Sequence, residues 1–497
     1  MSGTVAWATG TDVMTTIGED GCAEQHPAGW WEQITEAAKA AIGSGTAHPD
    51  QIAAVAVTGI WGSTVPVSGE GTPVGPCLLW LDSRGAPHAR RRFGGPVAGY
   101  SPWKLATWVR KTGRAPSISG ADAIGHMLYL ELDRPEIAGN ARWYLEAVDY
   151  VSMCFTGTVA ASPVSMTAAW LIDIRNPGRL GYDPDLIRMA GLDPAKLPPL
   201  RPTGSVIGPV RADVTAALGL SPGVVVVAGT PDLHSAAAAT GTMSGTCCHL
   251  ALSTSSWVSC AVPFKKTDAA RQIASVPGVL PGTYLVANNH ETAGACLRWF
   301  RDQVIGLTPQ ATPRPDFDVL TQLAAAAPPG AEGVLFTPWL AGERSPVDDR
   351  NARAGFHNLS LNVGLPAITR AVLEGVAYNN RWLHEAVERF AGRRLDPIRA
   401  FGGGALSDLW CQIHADVLDR TVERIADPVY VNVRGAAILA GLALGDVSAD
   451  DVGDLAKVAT TFRPNPSWRA VYDRLYAEFP GLYKSQKAMF ARLATRI

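Results

Sequence analysis

Apolar and polar residues follow two different periods along this chain, and each period predicts a different kind of element. The early stretch "GWWEQITEAAKAAIG", residues 29–43, repeats its large apolar residues at helical spacing and ends in Gly43, a common stop signal. Directly after it, "IAAVAVTGI" (52–60) is a short run of β-branched and small apolar residues, which predicts a strand. A helix that leads into a strand is typical of an α/β protein.

The same patterns predict further elements along the rest of the chain. Helices are expected within 120–132, 184–191, 233–239, 364–390 and 408–419, with one more beginning near 293. Strands are expected within 63–85 (two strands around a Gly-rich turn), 224–227, 248–262, 282–289, 333–340 and 398–405. Residues 310–333 carry turn residues at both ends and predict an excursion around one helix.

Length and composition add a domain count and narrow the class of partner. A chain of 497 residues is too long for one ordinary core, so at least two domains are expected. With 47% hydrophobic and 18% charged residues, it has the apolar material for sizeable cores. A net charge of −2 gives no electrostatic case for a nucleic-acid or membrane-surface partner, so small molecules are the expected partners.

The cysteines and the N-terminal stretch bear on the compartment. The eight cysteines include no CxxC pair, which argues against a zinc knuckle or a thioredoxin-like site and favours reduced thiols. The first residues lack a basic segment followed by an apolar one, and no apolar run reaches about 18 residues. We therefore expect a soluble, cytoplasmic protein without a membrane segment.

One carboxylate, Asp232, stands just past a run of four valines in "VVVVAGTPDLHSAAAATG" (224–241). Such a run predicts a strand buried on both faces, and open α/β sheets place their chemistry at the carboxyl ends of such strands. Asp232 also precedes a predicted helix, and aspartate often accepts hydrogen bonds from the free amides of a helix start. Both a chemical role and a capping role are open at this point.

Four loops, the first of which contains Asp232, follow predicted strands or join a strand to a helix, namely "GTPDLH", "STSSW", "AGERSP" and "FGGGALSD". Glycine lets backbone amides approach phosphate oxygens, and helix N-termini favour negative charge, so loops of this kind suit a nucleotide. Each loop is weak evidence when it is taken alone, because hydroxyl-rich loops such as "STSSW" are mostly simple turns and tight packing explains "FGGGA" as well as a nucleotide contact does. A P-loop, a GxGxxG motif after the first strand, an HExxH zinc motif and a GxSxG elbow are all absent from the sequence.

Taken in order, these loops resemble those of the FGGY family of carbohydrate kinases. The similarity rests on "LLWLDSR", "AVDYVSMCFTG", "AGTPDLHSAAAATG", "LSTSSW", "PWLAGERSPVDDRNARAGF" and "IRAFGGGALSDLWCQIHADVL", and its details look most like the xylulose kinases. The resemblance implies an α/β, two-domain, actin- and hexokinase-like (ribonuclease H-like) fold with a cleft between the domains. We expect an N-terminal domain over 1–240 and a C-terminal domain over 241–497.

The same resemblance implies an ATP- and Mg²⁺-dependent enzyme that phosphorylates a hydroxyl of a pentulose such as xylulose, or of a related sugar or polyol. Asp232 would be the general base and would touch the sugar. Further sugar contacts would come from the "TGIWG" and "LDSR" loops, with the residues Trp61, Gly62, Asp82 and Arg84. ATP would be bound by Thr254, Ser255, Gly294, Gly403, Gly404, Ala405 and Asp408. The metal ligands are not identified, and a homodimer stays open.

Two departures from the family pattern matter for function. The family opens with a hairpin that reads D-x-G-T-[ST]-x-x-K, and this chain contains none. We expect that hairpin to be encoded upstream of Met1, because the loss of a central strand would leave backbone groups of the sheet unpaired. The alternative is a catalytically impaired sugar- or nucleotide-binding homologue. Xylulose kinases also tend to read "SGQMHG" where this chain reads "TGIWGS", so Gly62 replaces a sugar-contacting imidazole and xylulose itself is in question.

Overall fold

The computed structural model describes residues 3–305 and 315–494. The α-helices of these residues, in chain order, are α1 (Pro27–Gly43), α2 (Ala86–Phe93), α3 (Pro102–Thr112), α4 (Ala123–Asp133), α5 (Pro135–Asn140), α6 (Ala147–Thr156), α7 (Pro163–Met166), α8 (Pro184–Ala190), α9 (Ala212–Leu218), α10 (Asp232–Ala239), α11 (Gly294–Trp299), α12 (Phe317–Ala325), α13 (Leu365–Ala391), α14 (Asp408–Leu418), α15 (Val431–Leu444), α16 (Val452–Leu455) and α17 (Arg469–Ala494).

Short strands alternate with these helices. They are β1 (Thr16–Ile17), β2 (Ala23–Gln25), β3 (Ala54–Gly59), β4 (Val65–Val67), β5 (Cys77–Leu78), β6 (Gly94–Val97), β7 (Trp143–Leu145), β8 (Val206–Pro209), β9 (Val225–Pro231), β10 (Cys248–Leu252), β11 (Ser256–Ser259), β12 (Ala261–Val262), β13 (Thr267–Asp268), β14 (Ile273–Pro277), β15 (Tyr284–Ala287), β16 (Leu335–Thr337), β17 (Gly355–His357), β18 (Ile398–Phe401), β19 (Val422–Ile425) and β20 (Val458–Phe462).

The larger sheet lies in the C-terminal half of the chain and has the strand order β11-β10-β18-β19-β20. Its three central strands run parallel, whereas β11 and β20 pair antiparallel at the edges. All five residues of β10 are buried. The strand is therefore covered on both faces, as is usual for a central strand of a parallel sheet. Parallel pairing of Ala251 with Phe401 brings the loops that follow β10 and β18 to the same edge.

The N-terminal half contains a smaller sheet with the order β3-β9-β8, in which β3 and β9 are parallel. Gly59 at the end of β3 lies opposite Pro231 at the end of β9, so the carboxyl ends of these strands also meet. No strand of the described residues pairs with the other edge of β3. That edge faces a cavity of about 410 Å³ between α1 and α6, lined by Trp30, Ile34 and Val148 among others.

Two helices join the halves at the middle of the molecule. α10 and α15 pack so closely that a Cβ at Gly435 would lie 1.8 Å from the carbonyl oxygen of Ser235. Apolar residues of both helices, including Leu233 and Leu439, form one buried cluster with residues of β14 and β15. Glycine at 435 is therefore required for the close approach of the two helices.

Most of the predicted elements are confirmed, with shifted ends. The helix predicted over 29–43 begins at Pro27, and the valine run continues as β9 to Pro231. The strands predicted within 63–85 form, but β4 pairs with β7 and β5 with β2. The strand predicted over 398–405 ends at Phe401, because Gly402 has a φ of 95° and a 3-10 turn follows. Residues 310–314 of the predicted excursion lie outside the described residues.

Two findings concern the cysteines and the helices. All eight cysteines are free thiols. Among the residues that the structure describes, no helix combines the length and the apolar character needed to cross a membrane.

Candidate functional site

Asp232 is the first residue of α10 and follows β9 directly. Its Oδ1 accepts the Leu233 amide at 2.7 Å, whereas its second carboxylate oxygen has no hydrogen-bond donor among the described residues. The helix cap is Pro231, so the Asp232 carboxylate does not hold the second or third amide of the helix as a capping aspartate would. Burial raises the pKa of Asp232 to about 6, and the Leu233 amide opposes that rise. A partly enclosed carboxylate with a free oxygen can accept a proton from a substrate.

The loop after β3, which contains Gly62, runs beside Asp232 and is held by a buried carboxylate. Glu146 accepts hydrogen bonds from the Gly62 amide (3.0 Å), the Ser63 amide (3.0 Å) and the Ser63 hydroxyl (2.7 Å). Gly62 has a φ of 84°, a left-handed conformation that favours glycine. A Cβ at Gly62 would lie 3.7 Å from the Cβ of Trp80, so the "TGIWG" loop lies beside the residue that precedes the "LDSR" loop.

Trp61 is anchored rather than free to move. Its indole Nε1 donates to the Ser165 carbonyl at 2.9 Å, and its ring packs edge-on against His234 with centroids 5.3 Å apart. His234 is fully buried and its Nε2 lies 2.9 Å from the Pro277 carbonyl oxygen. Trp61 therefore forms a fixed wall near α10, which is the placement that a sugar contact needs.

Asp82 and Arg84 are brought to the same loop but are largely occupied with each other. The fully buried Asp82 accepts the Ala23 amide at 2.9 Å and forms an ion pair of 2.6 Å with Arg84. Arg84 also pairs with Glu24 at 2.7 Å and donates to the hydroxyl of Tyr129 at 3.2 Å. In this arrangement the pair fixes the loop that carries Trp80, and a direct sugar contact through either residue stays a proposal.

The predicted phosphate-binding residues Thr254 and Ser255 lie in the turn between β10 and β11, and Gly294, the first residue of α11, packs against that turn. Thr254 is exposed and Ser255 half-buried, and the Gly294 amide donates to the Ser253 carbonyl at 2.8 Å. A Cβ at Gly294 would approach that same carbonyl to 2.6 Å, so only glycine lets the start of α11 lie against the turn. The result is an exposed hydroxyl next to a helix N-terminus, which suits an anion.

The predicted adenosine-binding residues follow β18 and reach the same edge of the sheet. A Cβ at Gly404 would lie 3.0 Å from the Leu252 carbonyl oxygen, whereas one at the exposed Gly403 would meet no atom within 4 Å. Ala405 is fully buried beneath this turn. Asp408, the exposed first residue of α14, forms an ion pair of 2.5 Å with Arg424 of β19. Gly403 thus leaves open space where a ligand can approach the backbone.

Residues of the "AGERSP" loop complete the site and were not assigned roles from the sequence. Glu343 is fully buried and accepts the amides of Arg344 (2.8 Å) and Glu291 (3.1 Å) and the Asn379 side chain (2.6 Å). Burial raises the pKa of Glu343 to about 8. Arg344 pairs with Glu291 at 2.8 Å and lies over the ring of Trp80, 5.4 Å from its centroid. The "AGERSP" motif itself was the sequence signal from which Arg344 could have been assigned to the site.

A second arginine, Arg114, had no local sequence signal. It follows Gly113, the C-terminal cap of α3, and donates to the side chain of Gln272 at 2.7 Å. The two residues are 158 positions apart in the chain, so their contact joins the N-terminal half to the C-terminal half. Only the folded structure brings this guanidinium to the site.

Among the described residues, one group of three side chains could offer ligands to a metal ion, Cys22, Glu24 and Asp82. This group does not suit Mg²⁺, because the ion prefers oxygen ligands and the guanidinium of Arg84 already occupies both carboxylates. The ligands of a magnesium ion are therefore not identified among the described residues.

Two parts of the site pack against the start of α10. Leu233, next to Asp232, belongs to the apolar cluster against which both Trp61 and Trp257 pack. Trp61 belongs to the loop after β3, and Trp257 to the strand that follows the Thr254 turn. The helix that begins with Asp232 therefore contacts both the loop after β3 and the strand that follows the Thr254 turn.

Comparisons with family models cover most of the chain. The model described as "FGGY family of carbohydrate kinases, N-terminal domain" matches residues 2–239, and the corresponding C-terminal domain matches residues 242–444. Among curated proteins, a xylulose kinase of Staphylococcus epidermidis is 27% identical over 481 residues, with 96% of this chain and 91% of that protein covered. A gluconokinase of Bacillus licheniformis is 25% identical over 475 residues, with coverages of 90% and 85%.

Solved structures agree with the fold. The xylulose kinase from Rhodospirillum rubrum matches with a TM-score of 0.80 at 26% identity, covering 96% of this chain and 93% of that one. The gluconate kinase from Lactobacillus acidophilus matches with a TM-score of 0.82 at 20% identity, with coverages of 97% and 94%. The predicted fold class, two-domain and actin/hexokinase-like, is confirmed.

Proposed function

Because the chain belongs to the FGGY family of carbohydrate kinases, we propose that it transfers the γ-phosphate of ATP to a hydroxyl of a pentulose such as xylulose, or of a related sugar or polyol. The family itself makes the chain a sugar kinase and implies a sugar and ATP as its small-molecule substrates. The observation that carries the more specific proposal is the free carboxylate oxygen of Asp232 at the end of β9.

Asp232 acts as the general base in this proposal. With a pKa of about 6, its carboxylate is ionised near neutral pH and accepts the proton of the attacking sugar hydroxyl. The hydroxyl oxygen then forms a bond to the γ-phosphorus while the bond to the leaving ADP oxygen breaks. Positioning and charge stabilisation supply most of the rate enhancement in phosphoryl transfer, so Asp232 also serves to orient the hydroxyl.

The remaining residues bind the two substrates. Thr254, Ser255 and the backbone near Gly294 face the phosphates, and the turn at Gly403 and Gly404 faces the adenosine. Asp408 and the buried Ala405 shape that turn. Trp61 and Gly62 line the sugar side, and Asp82 and Arg84 hold the loop beside them. The ATP used by the family generally carries Mg²⁺, which would neutralise phosphate charge during transfer. We also propose that the chain divides into domains at 1–240 and 241–497.

Both pentulose and sugar-acid kinases are found among the relatives at similar identity, 27% and 25%. The acceptor therefore needs a direct test. We expect ADP release that depends on a sugar when the protein is assayed with ATP, Mg²⁺ and a panel of ketopentoses, polyols, glycerol and aldonates. D232N is expected to lower kcat by about 10²–10⁴-fold, which is the usual contribution of a general base.

A panel without any sugar-dependent ADP release would overturn the proposal. In that case calorimetric titration with ATP and with the same sugars would show whether the protein is the silent binding homologue instead. ATP turnover that is independent of any sugar would likewise contradict a sugar kinase.

A further inference from the structure

The guanidinium of Arg114 is held in place but leaves most of its donors unused. One hydrogen bond of 2.7 Å links its Nη2 to Oε1 of Gln272, whose own Nε2 donates to the Ala269 carbonyl at 3.1 Å. An arginine carries five N–H donors. No other hydrogen bond and no ion pair reaches this guanidinium from the residues that the structure describes. Arg114 is half-buried. Its unpartnered guanidinium nitrogens are not enclosed by protein atoms, so the free donors are accessible to solvent.

The loop that carries Arg114 is docked firmly against the C-terminal half. The hydroxyl of Thr267 donates to the Gly113 carbonyl at 2.7 Å, and the Lys265 ammonium donates to the Val109 carbonyl at 2.8 Å. A Cβ at Gly113 would lie 3.3 Å from the Ser275 carbonyl oxygen. These contacts fix the guanidinium before any ligand arrives, which lowers the entropy cost of binding.

The charged neighbours of Arg114 include other arginines. Burial and the nearby Arg344 lower the pKa of Arg114 to about 10, and Arg350 acts in the same direction. Arg344 and Arg350 share one carboxylate, because both pair with Glu291, at 2.8 Å and 3.1 Å. Two carboxylates also face Arg114, the exposed Asp348 and the buried Asp122, but neither forms an ion pair with it. Arg114 thus stands near other guanidinium groups without a paired carboxylate of its own, which leaves its free donors available to an added anion.

Contacts connect this cationic cluster to the sugar side of the site. Arg344 lies over the Trp80 ring at 5.4 Å, and Trp80 neighbours Gly62 in the loop beside Asp232. Arg114 lies 5.9 Å from the centroid of the Trp170 ring, at the end of the segment that carries Ala168. A Cβ at Gly62 would be 3.9 Å from the Cβ of Ala168. Trp80 and the segment that ends at Trp170 therefore both lie beside the Gly62 loop, and each of the two tryptophans contacts one of the two arginines.

We propose that Arg114 binds a carboxylate of the acceptor, so that the substrate class of this kinase is a sugar acid, a polyhydroxy carboxylate whose other end presents a hydroxyl to Asp232. The inference rests on the proposed phosphoryl transfer to a sugar hydroxyl and goes beyond it, because it names a sugar acid as the acceptor in place of a neutral pentulose or polyol. A guanidinium binds a carboxylate through two parallel N–H···O bonds, and Arg114 has the free donors for such a pair. A neutral ketose would leave those donors without a charged partner.

The triphosphate of ATP is the other source of an anion in this site. Arg114 projects from the N-terminal half beside Trp170, whereas the phosphate-compatible turn at Thr254 lies in the C-terminal half. We therefore expect Arg114 to affect the acceptor and not ATP. Separate kinetic constants for the two substrates distinguish the two sources.

The first experiment compares matched acceptors that differ in one group. D-gluconate and D-glucitol share six carbons and differ in a carboxylate against a hydroxymethyl group, and D-xylonate and xylitol form a five-carbon pair. In ADP-release assays of the full chain with ATP and Mg²⁺, we expect kcat/KM to be at least about tenfold higher for the acid of at least one pair. D-xylulose is measured in parallel.

The second experiment changes the guanidinium. R114Q is expected to raise KM for the acid by about 10–100-fold, to leave kcat within about threefold, and to leave KM for ATP unchanged. R114K should restore part of the affinity, because it keeps the charge and loses the bidentate geometry. R110Q is the matched control, since Arg110 is an exposed residue on the same helix, α3, with no side-chain contact among the described residues.

The outcomes separate the inference from the function on which it rests. Turnover of xylulose or the polyols with no preference for acids would overturn the sugar-acid assignment and leave the kinase intact. An R114Q variant that raises KM for ATP instead would assign the arginine to the triphosphate and overturn the proposal. No turnover of any acceptor would overturn the proposed function itself.

Discussion

The carboxyl group of Asp232 is enclosed enough for its pKa to rise to about 6, yet one of its oxygens keeps no donor among the described residues. Asp82 differs, because it is fully buried and forms an ion pair with Arg84. The desolvation of Asp232 is opposed only by the Leu233 amide among the described residues, and such a carboxylate is typical of residues whose partner is a substrate.

The raised pKa of Asp232 predicts how activity depends on pH. The carboxylate accepts a proton only when it is ionised, so kcat/KM for the sugar at saturating ATP should level off above about pH 6 and fall about tenfold per pH unit below it. The residual activity of D232N should lack that inflection. A profile that is flat through pH 6, or the same inflection in D232N, would contradict the assignment of Asp232 as base.

The raised pKa of Asp232 also predicts how the free energy of unfolding depends on pH. At low pH, where activity is lost, this group favours the folded state. Its pKa of about 6 in the folded protein lies above the ordinary value of 3.8. Its contribution to stability is therefore favourable at low pH and is lost as the pH rises through 6. At a pH well above 6, D232N should have a free energy of unfolding no lower than that of the wild type, measured by denaturant titration. A clear loss of stability would instead indicate a structural role.

At the scale of elements, the glycine turn after β18 combines a packing requirement with an open surface. Gly404 must be small, because a Cβ there would lie 2.9 Å from the Trp410 ring and 3.0 Å from the Leu252 carbonyl oxygen. Gly403, its neighbour, faces open space. The two adjacent glycines thus serve different purposes, and only Gly403 leaves space for a ligand to approach the backbone.

These two glycines give a matched pair of variants. G404A should lower the free energy of unfolding by about 1–3 kcal/mol, the usual cost of overpacking, and raise KM for ATP because the turn shifts. G403A should leave the unfolding free energy within about 0.5 kcal/mol and still raise KM for ATP, because its methyl group enters the space for adenosine. Denaturation curves and ATP kinetics measure both. Unchanged ATP kinetics in G403A would remove that turn from the nucleotide site.

How far the sequence predicts such features depends on how local they are. The valine run followed by Asp232 and the glycines after β18 are contiguous signals, because strand burial and turn geometry act on neighbouring residues. The clamp of Glu146 on Gly62 and Ser63 joins residues 84 and 83 positions apart, and the Arg114–Gln272 bond spans 158. Neither leaves a periodic or turn signal in the chain, so only the tertiary structure reveals them.

At the scale of the whole molecule, α10 and α15 connect the base to the nucleotide half. Ser235 of α10 is hydrogen-bonded to Thr58 of β3 at 2.7 Å, and its carbonyl faces Gly435 of α15. α10 also begins with Asp232, so its position relative to both sheets sets where the base stands. This tight helix pair is thus one of the contacts that couple the two halves, and it is the one that carries the base.

Substitution at this contact should therefore disturb stability and catalysis together. In G435A a Cβ would lie 1.8 Å from the Ser235 carbonyl oxygen, so one helix must move, and we expect the free energy of unfolding to fall by about 3 kcal/mol. Because α10 carries Asp232, kcat should fall as well, while isolated ATP binding by calorimetry changes less. G139A is the control, since Gly139 in α5 faces open space. A G435A variant with wild-type stability and kcat would show that the helix pair does not position the base.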